Sequence, residues 1–267
     1  MSDFGDRRAR VQFASVMLAF LASCVGGHAR ADAVVDCNTA GRLSPSVQLS
    51  VVGQNARVQV DVARSPGADG KLTVAYGDET YTAPFDSSGH SRIAFAQTED
   101  HIAFQVVMSE VQPITCKLTS PEFSKIYRVI LRWHDPVVLG LNILEPGGQY
   151  GGVGHIFAQQ TNEKLDRGIG RMDIDTGAPE DGSTGEMSYV VANRATIPPN
   201  SVIGAKVDYV TRGSNPEPPY CDGNPLATPD FYFITVENGQ ARSEQMSMNR
   251  AACHGVIPAN RRLMPIR

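Results

Sequence analysis

Tryptophan occurs once in this sequence of 267 residues, and after the first ten positions no block of Lys and Arg occurs at all. The second absence excludes nucleic acid and anionic membrane surfaces as expected partners, because both need clustered cations to displace counterions. The formal charge is −4, so the chain carries no strong bias of either sign. Beyond residue 31 nothing approaches the roughly 18 uninterrupted apolar residues that a spanning helix requires, and no transmembrane span is expected. His-Glu-x-x-His and paired Cys-x-x-Cys are both missing, which argues against zinc. A Gly-x-Ser-x-Gly elbow is missing too. Helical periodicity over ten or more residues is also absent from the chain after its first 31 residues.

What is there begins with an address. Arg7, Arg8 and Arg10 precede an apolar run from Val11 to about Val25, followed by a short polar end at Gly26–Ala31. That arrangement reads as a secretory signal peptide over 1–31, with Ala29-Arg30-Ala31 placing small residues where signal peptidase inspects them and cleavage before Asp32. Leu21-Ala22-Ser23-Cys24 offers a competing lipobox, in which Cys24 would become the lipid-bearing first residue of an outer-membrane lipoprotein. Either route exports the protein, to the periplasm or beyond. Cys37, Cys116, Cys221 and Cys253 remain as an even set in an oxidising compartment. Cys37–Cys116 and Cys221–Cys253 are the expected disulfides, with crossed pairing the main rival.

From Ser46 to Ser109 apolar and polar residues alternate, as in Arg57-Val58-Gln59-Val60-Asp61-Val62. Short strands with one buried face, separated by turn clusters such as Asp86-Ser87-Ser88-Gly89, predict an all-β sandwich. Cys37 is expected just before its first strand and Cys116 just after its last. The pattern breaks near Lys117–Lys125 and begins afresh with Tyr127–Trp133 and Val137–Leu144. Further strands are expected at 155–159, 170–175, 186–192, 202–210 and 231–237. The expected architecture is therefore all-β, with two antiparallel β-sandwich domains in tandem: an immunoglobulin-like sandwich over 32–118 and a second over 126–267. The second carries a long Pro-rich excursion from Arg212 to Asp230 that holds Pro216, Pro218, Pro219, Pro225, Pro229 and Cys221.

Within the second domain, Leu131-Arg132-Trp133-His134-Asp135 is followed by a strand that ends in Leu144-Glu145-Pro146-Gly147-Gly148, and later by Met172-Asp173-Ile174-Asp175-Thr176-Gly177-Ala178-Pro179-Glu180. Over about 126–210 these stretches resemble the uncharacterised YfaP-type family of bacterial secreted domains. The second strand has Gly140 and Asn142 where such domains tend to carry Asp-x-Asp, and the glycine-rich part of the acidic segment is shortened. The resemblance implies an antiparallel β-sandwich and little chemistry.

Asp173 and Asp175, two apart on a strand, would project from one face, and Glu180 and Asp181 follow after a turn. Four hard carboxylates so placed are the expected calcium ligands, against the plainer reading of a polar strand end whose Asp side chains cap backbone amides. The Gly147–Gly154 loop lacks the Gly-Lys-Ser/Thr of a phosphate loop and reads as a wide hairpin, with Tyr150 as a stacking residue for a ligand. Trp133, on an alternating strand, reads as core or as a second ligand platform. His90, His101, His134, His155 and His254 share no metal spacing; His134-Asp135 with a serine elsewhere could form a triad in space.

The function expected from these features is that of an exported, non-catalytic binding or accessory protein of the cell envelope. Its partner would be an envelope protein, and no cofactor is expected unless calcium. A carbohydrate-binding module using Tyr150, Asp173, Asp175 and Glu180, calcium-linked, is the alternative, and an envelope hydrolase the third reading.

Overall fold

The structure is a computed structural model that describes residues 33–39, 43–44, 46–67, 70–109, 111–149, 154–157, 168–177, 179–180, 182–209, 230–247 and 261–262. Residues 1–32 with Cys24, Tyr150, Asp181, the Pro-rich excursion with Cys221, and Cys253 and His254 lie outside the described residues. Among the described residues the chain is almost wholly β, with antiparallel pairing throughout, and Ala31–Arg267 forms one compact unit.

The first half forms two sheets. One joins β2 (Gln48–Gln54), β3 (Arg57–Ala63) and β6 (His90–Ala96). The other runs β1 (Val34–Cys37), β8 (Val111–Thr119), β7 (His101–Met108), β4 (Lys71–Tyr76) and β5 (Glu79–Pro84). Their facing apolar rows, among them Val58, Val60 and Val62 from β3 and Phe104 and Val106 from β7, make a single core. Period-two alternation produces this arrangement directly, since every second side chain points to the same face.

Cys37 and Cys116 form a disulfide. Both lie inside strands, opposite each other in the β1–β8 register, and not just outside the first and last strands as the alternation suggested. β1 is only four residues long, and the exposed pair Gln112-Pro113 breaks the alternation at the start of β8. The bridge closes a loop with a sequence separation of 79. In the chain-entropy picture such a link disfavours the unfolded state by about 4–5 kcal/mol.

Residues 120–126 carry the chain across through a short 3-10 turn, Phe123–Lys125. The second half again forms two sheets. One runs β12 (Arg171–Asp175), β13 (Gly185–Val191), β9 (Tyr127–Trp133), β15 (Asp230–Glu237) and β16 (Gln240–Ser247). The other runs β11 (His155–Phe157), β10 (Leu139–Leu144), β14 (Gly204–Tyr209) and β17 (Arg261–Arg262). Tyr127, Val129, Leu131 and Trp133 of β9 meet Leu139, Leu141 and Ile143 of β10 in the core between them.

The central strands β9 and β13 are buried along their whole length, polar residues included. Their outward faces are covered by the first half of the chain. A separate apolar cluster sits there, joining Ala56 and Ala96 to Phe123, Ile126, Ile130, Ile174, Val190, Ile234 and Val236. Burying each Ile or Phe of that cluster favours the joined state by about 1.5–3 kcal/mol relative to exposure.

Candidate functional site

The outward face of β9 presents Arg128, Ile130 and Arg132, and that of β13 presents Glu186, Ser188 and Val190. On an ordinary half-solvated sheet these polar side chains would reach water. Here Arg128 is 0% exposed, Arg132 4% and Glu186 0%. Charges taken out of water at such depth require partners.

Arg132 and Glu186 are direct register partners on adjacent strands. Arg132 Nε donates to Glu186 Oε2 at 2.6 Å, and Nη2 donates to the Ala96 carbonyl at 2.8 Å. Glu186 accepts two further hydrogen bonds from the first half of the chain, from the Tyr81 hydroxyl at 2.7 Å and from the Ala96 amide at 2.6 Å. Burial alone pulls the Arg132 guanidinium down, but the charge and hydrogen bond of Glu186, together with the neighbouring Tyr81 and Glu79, outweigh it and keep Arg132 firmly charged. Burial first, and the Glu186 charge second, push the Tyr81 hydroxyl well above its usual range, so Tyr81 holds its proton as the donor.

Arg128 makes a second anchor. Its Nη1 and Nη2 bond Asp173 Oδ1 and Oδ2 at 2.8 and 2.7 Å, the bidentate geometry that suits a guanidinium to a carboxylate. Nη1 also reaches Ser188 Oγ, and Nη2 donates to the Asn55 carbonyl at 2.6 Å. Asn55 and Ala56 form the β2–β3 turn with φ of 53° and 57°, as a two-residue hairpin twisted with its strands requires. This turn directs a backbone carbonyl at a buried arginine of the other half.

Polar pairs extend along the same boundary. The Thr184 amide donates to the Thr80 carbonyl at 2.6 Å, and Thr82 bonds Ser183 at 3.0 Å. Glu79 accepts from Thr184 and pairs with His134 Nε2, each at 2.9 Å. Elsewhere, the buried Glu145 carboxylate accepts from the amides of Ile169 and Gly170 and from the Tyr189 hydroxyl, pinning the start of β12 to the end of β10. Burial and then the Glu145 hydrogen bond hold the Tyr189 hydroxyl far above its ordinary value.

The acidic segment is not one cluster. A register shift between Met172 and Ile174 separates Asp173 from Asp175, so they do not share a face as simple alternation implied. Asp173 is held by Arg128 and Ser188, Asp175 accepts from the Gly177 amide in its own turn, and Glu180 pairs with Lys71. Among the described residues no three His, Cys, Asp or Glu side chains gather to hold a metal ion. Trp133 is 0% exposed, its indole N–H donating to the Val137 carbonyl at 2.8 Å, and it offers no ring face to a ligand. His134 pairs with Glu79 and not with a serine.

Sequence reasoning passed over Arg128, Arg132, Glu186 and Tyr81, which occupy ordinary positions of the alternation. The available signal was two arginines four apart, on the polar positions of a strand whose other members are all large and apolar. Compared with family models, with curated proteins and with solved structures, the chain finds no match in any of the three.

Proposed function

We propose that the protein is an exported, non-catalytic binding or accessory module of the bacterial cell envelope that acts by associating with another envelope protein. The observation that carries this reading is the buried seam. Arg128, Arg132, Glu186 and Tyr81 hold the two pairs of sheets together, so the buried charge serves architecture and the loops stand on one continuous β framework. The leader-like first 31 residues and the Cys37–Cys116 disulfide support export to an oxidising compartment. The resemblance of residues 126–210 to YfaP-type secreted domains points the same way.

The test is site-directed photo-crosslinking in the producing cell, with the reactive side chain at the exposed Gln149 beside the Pro146–Gly147 turn. The expected result is one discrete adduct in the envelope fraction, absent when the reactive group is moved to the buried Val129. Recovery of monomer alone, or of the protein in the cytoplasm with reduced cysteines, would sink the proposal.

A further inference from the structure

Beside the seam, where the β2–β3 turn meets β12, lies a small cleft of about 120 Å³. Gln54, Asn55, Arg57 and Gln59 line it from the first half of the chain, and Arg171 and Asp173 from the second. Its charge is unbalanced. The Asp173 carboxylate is already held on both oxygens by Arg128, which leaves Arg57 and Arg171 as the uncompensated charges of the lining.

Both arginines are short of partners. Arg57 makes one hydrogen bond, from Nη2 to Gln59 Oε1 at 2.9 Å, and its Nε is shut away from solvent with no acceptor. Arg128 Nε, behind Asp173, is likewise buried without one. Among the described residues no carboxylate pairs with Arg171, which stands exposed at the start of β12. Guanidinium donors left unsatisfied at a partly desolvated surface favour an acceptor that brings negative charge and more than one oxygen. A cleft of about 120 Å³ suits a compact group such as a carboxylate or a phosphate.

We propose that this cleft is an oxyanion site, in which Arg57 and Arg171 grip a carboxylate or phosphate group from opposite sides and the side-chain amide of Gln54 borders it. The ligand is a small acid or the acidic end of a larger molecule. Because one arginine comes from each half of the chain, the site exists only while the seam is closed. It stands whether or not the protein serves as an envelope binding module.

Thermal melts of the full chain in rising inorganic phosphate, and separately in acetate, with sodium chloride matching the ionic strength, test the site. The expected result is a saturable rise in Tm with at least one of the two anions and none with chloride. A response to phosphate alone assigns a phosphate ester, and a response to acetate alone assigns a carboxylic acid. Arg171→Gln, at an exposed position that leaves the fold intact, should weaken the apparent affinity at least tenfold. Arg242→Gln, on the opposite edge strand β16, should leave it unchanged. Arg57→Gln should match Arg171→Gln. No saturable rise with either anion, or a rise that survives Arg171→Gln, overturns the proposal.

Discussion

Arg132 and Glu186 lie opposite each other on neighbouring strands, joined at 2.6 Å and bonded to a tyrosine and to the end of β6, both from the other half of the chain. The pair is therefore an internal bond of the second half and a docking point for the first. A buried pair of this kind tolerates joint replacement better than the loss of one member, because a lone buried charge has nowhere to discharge its desolvation cost.

Glu186→Gln should destabilise the protein by about 3–5 kcal/mol, since it leaves Arg132 charged and buried without a counterion. Arg132→Met combined with Glu186→Leu should cost clearly less than the two single changes added together. Urea unfolding of the four proteins gives the coupling; strictly additive effects would contradict the geometry.

Gly185 lies against the indole of Trp133, where an added Cβ would stand 2.3 Å from Cε2 of the ring. Gly185→Ala should cost roughly 1–3 kcal/mol by overpacking. The lone tryptophan reports on itself: native emission should be blue and resistant to quenching, and the variant should shift to the red at lower urea. An unchanged midpoint would show that the ring has room to move.

Tyr81, Tyr127 and Tyr189 all have hydroxyls raised above their usual range, burial being the largest cause in each case. The unfolded chain ionises tyrosine near pH ~10. Their protonated forms therefore favour folding fully below about pH 10, and this contribution declines as pH rises above it. Tyrosinate absorbance from these three side chains should appear only together with loss of β circular dichroism. Complete titration with the native spectrum intact would refute the assignment.

Calcium should leave the melting temperature unmoved. Asp173 is neutralised by Arg128 and Glu180 by Lys71, so binding at the acidic segment would have to break an ion pair that is already buried. Melts with excess calcium and with chelator should superimpose. A rise of several degrees that Asp175→Asn abolishes would show instead that the segment rearranges around the ion.

Much of this fold is visible in the alternation of apolar residues. His101–Met108 and Lys71–Tyr76 follow it from end to end, and they are strands over those same residues. β16 escapes the pattern because it is an edge strand exposed from Gln240 to Gln245, with no buried face to mark it. β1 escapes because four residues carry too little period. The seam is illegible for a different reason. Alternation reports which residues share a face, but Arg128 meets Asn55, 73 positions away, and Glu186 meets Ala96 and Tyr81, 90 and 105 positions away. Whether a polar face meets water or another polar face is decided by tertiary contact, and the period is the same in both cases.

The seam also links the stability of the two halves. Residues 33–119 hold most of their own core together with the partners at Asn55, Tyr81 and Ala96. β9 and β13 carry two arginines and a glutamate interleaved with Ile130 and Val190 on the face they turn toward that half. Parting the halves would strip those charges of their partners and bare the apolar side chains between them, so neither half can be loosened at the seam without cost to the other.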